Sequence, residues 1–262
     1  MNYLPVLSVA GSDCSGGAGI QADLKTMSAL GCYAMSVITA VTAQNTCGVY
    51  AVEGISPEIV AAQIDAVFSD IPPLAVKTGM LYSDRIVAEV ARSLAAHGVK
   101  HLVVDPVMVS TSGSRLISEE AIECMVTQLF PLAEVVTPNV AEAAVLTASA
   151  NPDEQAAKIM AMGPRSVLLK GGDRAGDHKT DLLYLADGTV RRFSSPAVDT
   201  VNTHGTGCTM SSAIASFLAN GRSLADAVAE AKDYVTSALR AGALYKIGEG
   251  HGPVDHFHAF RS

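Results

Sequence analysis

The segment over residues 201–219 combines residue types that could bind a phosphate group. It reads VNTHGTGCTMSSAIASFLA, and Gly205-Thr206-Gly207-Cys208 leads directly into an apolar run of helical character. Glycines permit a tight turn and a close approach of the backbone to a ligand. The first amides of a helix have no partner within the helix, and the helix dipole adds partial positive charge there. The segment therefore predicts an anion site, most naturally for a phosphate in transfer.

Cys208 falls in the first turn of this predicted helix. The field at a helix N-terminus favours thiolate over thiol, so we expect the pKa of Cys208 to be lowered. A thiolate beside an anion site could accept a proton from a hydroxyl group, as a kinase requires. The alternative is a glycine-rich loop that caps a buried helix, with Cys208 as a small apolar side chain. The segment alone leaves both interpretations open.

A second glycine-rich loop covers residues 11–19, after a predicted buried strand over 4–10 and before a predicted helix over 20–30. It contains a loose G-x-G-x-x-A match. Dinucleotide folds place that motif directly after the strand, which is not so here, and NAD binding is therefore not predicted. Asp13 is the expected hydrogen-bonding group for a small ligand at this loop. A solvated turn is the alternative.

Further candidates fall at, or just past, the carboxyl ends of predicted strands. Those strands cover residues 4–10, 34–41, 75–78, 101–104, 135–137 and 166–169, and the candidates that follow them are Asp13, Gln44, Met80, Asp105, Asn139 and Lys170. Open α/β sheets bind ligands at this rim. Several candidates at one rim predict a single cleft.

Three of these positions suggest a metal or phosphate role. Asp105 precedes a proline, which keeps its backbone extended and leaves the carboxylate free to face a metal or phosphate. Asn139 and Glu142 share one face of a predicted helix start. They could form a capping box, or Glu142 could orient the waters of a phosphate-bridging Mg²⁺ ion. Lys170 could pair with phosphate or be only a charge at a strand end.

Strands and helices alternate along the chain, which indicates a mostly parallel sheet covered on both faces. Helices are predicted over residues 20–30, 57–68, 83–97, 118–129, 140–147, 153–162, 207–219 and 224–245. Residues 181–185 and 189–193, joined by Asp187-Gly188, predict a hairpin that adds antiparallel edge strands. We find neither a linker nor a repeat, and we expect one domain.

Composition narrows the functional class. The chain has 262 residues, a net charge of −8 and 49% apolar residues, so a general nucleic-acid surface is not expected. No uncharged apolar run reaches the ~20 residues that span a bilayer, and residues 1–13 lack the features of a signal peptide. The five cysteines form no C-x-x-C pair, so neither a disulfide framework nor a zinc site is expected. We expect a cytoplasmic protein without a membrane partner.

Short motifs in one fixed order make a family resemblance specific. They are AGSDCSGGAGIQADLK (10–25), TAQNT (42–46), KTGML (77–81), DPVM (105–108), TPNVAEA (137–143), LLKGG (168–172), NTHGTGCT (202–209) and GHGPVDHF (250–257). This set resembles the hydroxymethylpyrimidine/phosphomethylpyrimidine kinases of thiamine biosynthesis, in the ribokinase superfamily. The resemblance implies a ribokinase-like three-layer α/β fold, with a mostly parallel central sheet and helices on both faces, in one domain over residues 1–262.

The resemblance also implies an activity: ATP-dependent phosphorylation of 4-amino-5-hydroxymethyl-2-methylpyrimidine and then of its monophosphate, giving the pyrophosphate, by a homodimer. Gln44 falls where the family binds the pyrimidine, and a carboxamide complements a 4-amino group and the adjacent ring nitrogen. Further residues that would line the ring pocket are Gly11, Ala18, Met80 and Val107, with Asp23 as another candidate. Many superfamily members carry aspartate as the base at the position of Cys208.

The chain departs from the family pattern at a few positions. Cys14 stands where serine is usual, and Asp173 where histidine commonly follows Lys-Gly-Gly. Residues 112–115 lack the acid often seen in the flap after Asp105. These departures concern nucleotide contacts and flap closure and leave the predicted phosphate site intact.

The resulting hypothesis is in-line transfer from ATP·Mg²⁺ bound along the rim. Asp105 and Glu142 would orient the water molecules bound to Mg²⁺. The amides of residues 205–208 would hold the phosphoryl group during transfer. Cys208 would accept the hydroxymethyl proton. A Walker loop and the protein-kinase motifs are absent from the sequence. The rival interpretations are a pyridoxal or pyridoxine kinase, a thiol enzyme with Cys208 as covalent nucleophile, and a ligand-binding protein without catalysis.

Overall fold

Alternating apolar segments of the chain assemble into one continuous sheet. The computed structural model describes residues 3–108, 116–173 and 177–261, so the flap segment 112–115 lies outside the described residues. The strands are β1 Leu4–Asp13, β2 Cys32–Asn45, β3 Gly48–Gly54, β4 Ala75–Thr78, β5 Leu102–Val104, β6 Val135–Val136, β7 Ser166–Asp173, β8 His178–Leu185 and β9 Val190–Pro196. Across the described part of the sheet their order is β3-β2-β1-β4-β5-β6-β7-β8-β9.

The helices cover both faces of this sheet. They are α1 Gly19–Ala29, α2 Pro57–Asp70, α3 Asp84–Ala96, α4 Glu119–Cys124, α5 Val140–Thr147, α6 Pro152–Met160, α7 Thr206–Ala219 and α8 Leu224–Gly242. After α4 the chain continues as a π turn over Met125–Leu129 and a 3-10 turn over Phe130–Leu132. None of the helices in the described ranges is long and apolar enough to cross a bilayer.

Two hydrophobic layers join the helices to the sheet. One layer packs α2 to α6 against side chains such as Leu7 and Val9 of β1. The other packs α1, α7 and α8 against the opposite face, where the neighbouring residue Val6 points. Successive side chains of a strand face opposite sides, so a central strand buried on both faces reads as a continuous apolar run. The predicted three-layer α/β architecture is confirmed.

Pairing within the sheet follows the predicted pattern, with one omission. Within the run β2-β1-β4-β5-β6-β7 of the sheet, neighbouring strands pair in parallel. Strands β8 and β9 form the predicted antiparallel hairpin at one edge. A second antiparallel strand, β3, was not predicted, and it pairs with β2 at the other edge. None of its residues is fully buried, so the segment lacks the apolar signal of a core strand.

Several strands extend further toward the rim than predicted. Strands β1, β2 and β7 end at Asp13, Asn45 and Asp173, whereas the sequence predicted ends at residues 10, 41 and 169. Asp13, Gln44 and Lys170 therefore belong to the last residues of these strands and not to the loops that follow them. This difference matters because a ladder of backbone hydrogen bonds holds these positions more firmly than a loop would.

The starts of the described helices fall into two groups. Six helices begin with a serine or asparagine whose side chain accepts a hydrogen bond from a backbone amide of the first turn; these N-caps are Ser56, Ser83, Ser118, Asn139, Asn151 and Ser223. Helices α1 and α7 begin at Ala18 and Gly205 without such a cap. At these two starts the N-cap residue itself provides no side-chain acceptor, and both starts lie on the same cavity.

Candidate active site

A cavity of about 410 Å³ lies at the carboxyl ends of the strands. The predicted site residues that line it are Gly11, Asp13, Ala18, Gln44, Met80, Asp105, Val107, Asn139, Glu142, Lys170, Gly205, Thr206, Gly207 and Cys208. Asp23 is the predicted residue that the lining does not include. The single cleft expected at the rim is present, while the role of each lining residue stays a prediction.

The start of α7 is shaped by glycine. Gly205 has φ of 79° and ψ of 4°, in the left-handed region that favours glycine. A Cβ on Gly205 would overlap the carbonyl oxygen of Gly17, so the two glycine-rich loops touch backbone to backbone. The following residues Thr206, Gly207 and Cys208 are half-buried and face the cavity. The helix start is thus open to a ligand, as an anion site requires.

The thiol of Cys208 differs from the sequence-based expectation. We expected the field of the helix to lower its pKa; instead burial raises the pKa to about 11, although Lys77 acts in the opposite direction. Asp23 and Asp105 also favour the neutral thiol, and a hydrogen bond from the Gly19 amide favours the thiolate. The prediction of a lowered pKa is wrong, because removal from water outweighs the effects of Lys77 and of the Gly19 amide on the pKa of Cys208.

Asp23 is buried inside the protein and does not line the cavity. Its carboxylate is fully buried and forms an ion pair with the equally buried Lys77, at 2.8 Å from Nζ to Oδ2. Ser212 donates to Oδ1 at 2.6 Å and Ser8 donates to Oδ2 at 2.5 Å. With its oxygens taken up in this way, Asp23 does not contact a ligand in the cavity. The prediction that Asp23 binds substrate is corrected to a role inside the protein.

Asp13 organises the glycine loop that follows it. Its Oδ1 accepts hydrogen bonds from the amide and hydroxyl of Ser15, and its Oδ2 accepts from the amides of Gly17 and Ala18. Oδ2 also lies 2.8 Å from Nε2 of His204, which therefore donates to it. Burial opposes ionisation, but these bonds hold the pKa of Asp13 at about 2. The carboxylate lines the cavity with its acceptors already engaged.

Gln44 places a carboxamide in the cavity wall. The hydroxyl oxygen of Thr42 lies 3.3 Å from Oε1 of Gln44, and Nε2 of His204 lies 3.4 Å from its Nε2. Opposite, Gly11 makes room for Met80, because a Cβ on Gly11 would overlap the Met80 methyl group. This arrangement combines an apolar wall with one amide edge, which suits a flat polar ring.

Lys170 and Asp105 form a buried ion pair next to the α7 start. Lys170 Nζ lies 2.8 Å from Asp105 Oδ1, and the hydroxyl groups of Thr137 and Ser211 donate to the same carboxylate at 3.2 Å. Burial opposes both charges, but the pKa of Asp105 stays lowered because of Lys170 and Lys77. A Cβ on Gly207 would stand 3.4 Å from Nζ, so the lysine lies directly against residues 205–208, the predicted anion loop.

Asn139 and Glu142 form a complete capping box. The Asn139 side chain accepts from the Glu142 amide at 2.9 Å, and Glu142 Oε2 accepts from the Asn139 amide at 2.8 Å. Burial raises the pKa of Glu142 to about 7, and Asp105 adds to the effect while Lys170 opposes it. The capping interpretation is confirmed. A further role toward nucleotide or metal stays a prediction.

Two polar residues that the sequence reasoning did not assign are central to this geometry. His204, within the quoted NTHGTGCT motif, joins the two glycine loops through Asp13. Lys77 is a charged residue in strand β4, and all four residues of that strand, Lys77 included, are buried. A lysine in a short buried strand needs an acidic partner, which was the available signal, but the sequence could not say that the partner was Asp23.

Together these features define a class of protein. A helix start without an N-cap side chain, a lysine beside that start and a carboxamide in the cavity wall meet at the rim of a ribokinase-like α/β sheet. Such a site can hold the phosphates of a nucleotide next to a small acceptor. The class is that of small-molecule kinases with the ribokinase-like fold.

Comparison with known proteins narrows the class to one family. The sequence model of the phosphomethylpyrimidine kinase family matches residues 13–255. A hydroxymethylpyrimidine/phosphomethylpyrimidine kinase of Rhizobium meliloti is 52% identical over 258 residues, covering 96% of each chain. The chain therefore belongs to the phosphomethylpyrimidine kinase family.

Solved structures show the same fold. A phosphomethylpyrimidine kinase from Clostridium difficile is 46% identical, with a TM-score of 0.79 over 90% of this chain and all of that one. A pyridoxal kinase from Staphylococcus aureus, in complex with AMP-PCP and pyridoxal, is 34% identical, with a TM-score of 0.89 over 100% of this chain and 96% of that one. The predicted family is confirmed. The similar structures include a pyridoxal kinase, the class of enzyme that the sequence analysis named as a rival interpretation.

Proposed function

We propose that this enzyme transfers the γ-phosphoryl group of ATP to 4-amino-5-hydroxymethyl-2-methylpyrimidine and then to its monophosphate, in the synthesis of thiamine. The observation that carries the proposal is a shared cavity: the uncapped start of α7 and the carboxamide of Gln44 line the same 410 Å³ space. One feature can hold a phosphate and the other can read the 4-amino edge of a pyrimidine.

In the proposed step the hydroxymethyl oxygen forms a bond to the γ-phosphorus, and the bond from that phosphorus to the bridging oxygen breaks, releasing ADP. The amides of Gly207 and Cys208 at the start of α7 hold the transferring group, whereas the Thr206 amide already donates to the Thr203 carbonyl oxygen at 3.2 Å. Lys170 adds positive charge next to that loop. Cys208 in its thiolate form takes the hydroxyl proton. Phosphoryl transfer depends mainly on positioning and charge stabilisation, so the loop carries most of the rate enhancement.

Mg²⁺ fits this site through its water ligands. Asp105 and Glu142 line the cavity, but Asp105 is engaged by Lys170, and Glu142 by the Asn139 amide. No cluster of three or more potential metal ligands occurs among the described residues. Mg²⁺ usually keeps several waters and takes one or two carboxylates beside phosphates. We propose that both carboxylates hold metal-bound water, and that the ion, when bound, neutralises charge on the phosphates.

A second candidate is phosphorylation of a pyridoxine-type substrate. The pyridoxal kinase of Staphylococcus aureus matches the whole chain at a TM-score of 0.89, and its structure contains pyridoxal. Pyridoxine is also a substituted six-membered nitrogen heterocycle with a hydroxymethyl arm, so a cavity of this size admits both rings. The 4-amino group is absent from pyridoxine. We therefore propose hydroxymethylpyrimidine as the better substrate, because Gln44 offers both a donor and an acceptor to the amino-pyrimidine edge.

The test is a product assay with ATP and each candidate acceptor: hydroxymethylpyrimidine, its monophosphate and pyridoxine. We expect kcat/KM for hydroxymethylpyrimidine to exceed that for pyridoxine by about tenfold or more, since loss of a matched polar contact costs at least that much. A higher kcat/KM for pyridoxine would reverse the assignment. Absence of ATP consumption with all three would refute the kinase function, and a covalent Cys208 adduct during turnover would favour a thiol enzyme.

Two further proposals concern the oligomeric state of the protein and its location in the cell. We propose a homodimer, which the family resemblance suggests and which sedimentation equilibrium can test. A cytoplasmic location agrees with the five free thiols, because a reducing compartment preserves them.

A further inference from the structure

The backbone at Gln44 lies beyond the regular part of the sheet. The last residue pair between β1 and β2 is Asp13 with Thr42, so Gln44 has no partner residue in β1. On its other side Gln44 pairs with Val49 of β3, directly after a shift of register between Ala43 and Gln44. Strand β3 is itself the outermost strand of the described sheet. The position therefore needs another anchor on the β1 side.

The thiol of Cys14 supplies this anchor. Cys14 Sγ donates to the carbonyl oxygen of Gln44 at 3.2 Å and accepts from the amide nitrogen of Gln44 at 3.4 Å. One side chain thus satisfies both backbone groups of a residue that no longer has a partner in β1. Thiols form weak hydrogen bonds, but two bonds to one residue fix its orientation.

The side chain of Cys14 does not belong to the cavity. Cys14 is exposed, and it is not among the described residues that line the 410 Å³ space. Gln44, in contrast, is half-buried and lines that space. The side-chain hydrogen bonds that connect Cys14 to the cavity lining are those with the Gln44 backbone. A small rotation of the residue 44 backbone would move the end of its long side chain and misalign the carboxamide with the ring edge.

We propose that Cys14 is a positioning residue that determines affinity for the pyrimidine by fixing the backbone of Gln44. The inference rests on the proposed function, because it assumes that Gln44 reads the ring. Cys14 contributes nothing to phosphoryl transfer itself. Its loss weakens binding of the heterocycle and leaves the chemical step and the binding of ATP as they are.

The test compares Cys14→Ala with Cys14→Ser. Alanine removes both hydrogen bonds, and we expect KM for hydroxymethylpyrimidine to rise about 5- to 30-fold with kcat changed less than about twofold. Serine keeps a donor and an acceptor, so we expect its KM to stay within about threefold of the wild type. KM for ATP is the internal control and should not change. Thermal unfolding of each variant checks that the fold is retained.

A double-mutant cycle with Gln44→Leu shows whether Cys14 acts through Gln44. We expect Gln44→Leu alone to raise KM about 10- to 100-fold, and Cys14→Ala to add less than about twofold in that background. The inference is overturned if Cys14→Ala leaves KM unchanged, if serine fails to restore it, or if its full effect persists in the Gln44→Leu background.

Failure of the proposed function would be visible separately, in the wild-type rates. If the wild type prefers pyridoxine, the same cycle is measured with pyridoxine as the acceptor. If it phosphorylates neither compound, calorimetric titration with hydroxymethylpyrimidine gives the binding constants for the cycle. A role of Cys14 through Gln44 then appears as a loss of affinity that serine restores, and equal affinities of all four proteins would refute it.

Discussion

Cys208 is held between opposing electrostatic influences, and their balance decides what the thiol can do. Burial favours the neutral thiol, Lys77 favours the thiolate, and Asp23 and Asp105 again favour the thiol, which leaves the pKa at about 11. At pH 7 roughly one molecule in 10⁴ then carries the thiolate. A base with this pKa is strong but scarce. The rate should consequently follow the population of thiolate as pH changes.

This balance predicts a pH dependence of the reaction. Because the active form of a base is deprotonated, kcat/KM should rise with pH as long as pH is below the pKa of about 11. We expect about a tenfold rise per pH unit between pH 7 and pH 9, measured with saturating ATP. In Cys208→Asp, where the base is a carboxylate, the profile should be flat over the same range.

Cys208→Ala is the matched control for the pH profile. Without a base, kcat should fall by about 10²–10⁴ and lose its dependence on pH, while the phosphate-binding amides remain. A loss below about fivefold would reject the proton-accepting role and leave Cys208 as part of the anion loop. A pH slope that persists in Cys208→Ala would assign the titrating group to another residue.

At the scale of whole elements, the start of α7 depends on two glycines in contact. Gly205 has a φ of 79°, and a Cβ there would overlap the Gly17 carbonyl oxygen. We expect Gly205→Ala to displace the anion loop, lowering kcat by about 10²-fold or more, since a misplacement of ~1 Å costs that much. The measurement is steady-state kinetics together with the melting temperature.

Gly221, shortly after the end of α7, provides a control with matched backbone strain. Its φ is 76°, and a Cβ there would meet no atom within 4 Å. Gly221→Ala therefore carries a similar conformational penalty without the collision. We expect it to reduce stability by about 1 kcal/mol and to leave kcat unchanged. Equal losses of activity in both variants would show that strain, and not the contact between the loops, is responsible.

A buried ion pair connects strand β4 of the sheet with the helical layer of α1 and α7. Lys77 of β4 and Asp23 of α1 are fully buried, and Ser212 of α7 donates to the same carboxylate. We expect Lys77→Met to reduce the free energy of unfolding by about 3–5 kcal/mol, because it leaves a buried carboxylate without its partner. In denaturant unfolding, the double variant with Asp23→Asn should recover most of this lost stability. Its kcat should stay low, since Cys208 has lost the cation that favours its thiolate. A double variant no more stable than the single one would contradict the pairing.

The sequence predicted the elements with strong periodicity and those with turn signals. Buried parallel strands, the long helices and the Asp187-Gly188 hairpin were all placed correctly, because each buries an apolar face or contains a turn residue of known geometry. Strand β3 was missed because it pairs with β2 at the edge of the sheet and none of its residues is fully buried. The extended ends of β1, β2 and β7 were missed because their last residues are polar.

The site was predictable where one residue type implied one chemistry. Gly205 and the candidates at the strand ends were found because glycine loops and the sheet rim have general ligand-binding roles. Contacts between distant segments were not predictable: Lys77 with Asp23 and His204 with Asp13 are separated by 54 and 191 residues. The pKa of Cys208 was misjudged for the same reason, since burial depends on the assembled fold.

At the scale of the whole molecule, burial of ionisable groups makes stability depend on pH. His256 is buried, and burial, together with Lys25, lowers its pKa to about 4, although Asp255 opposes the shift. An unfolded histidine has a pKa near 6.5, so the unfolded chain takes up a proton that the folded protein resists. Stability from this group is therefore fully present above about pH 6.5 and declines as pH falls toward 4.

Other groups act in the same interval, so the contribution of His256 must be measured as a difference. Glu142 has its pKa raised to about 7, and its folded form gains relative stability as pH falls from 7 toward 4.5. Asp13, with its pKa lowered to about 2, loses its contribution only below about pH 4. The two carboxyl groups are unchanged by a substitution at His256. Their contributions to the free energy of unfolding therefore cancel when wild type and variant are compared at each pH.

We therefore predict that His256→Gln removes a pH-dependent loss of stability. Nε2 of His256 lies 3.2 Å from the hydroxyl oxygen of Thr209, and a glutamine amide can donate to the same oxygen without gaining a charge. Between pH 7 and pH 4 the wild type should lose up to about 3 kcal/mol more than the variant in urea unfolding. His178→Gln, at an exposed position of β8, should leave the difference from wild type constant. Parallel curves for His256→Gln and the wild type would mean that His256 titrates alike in both states.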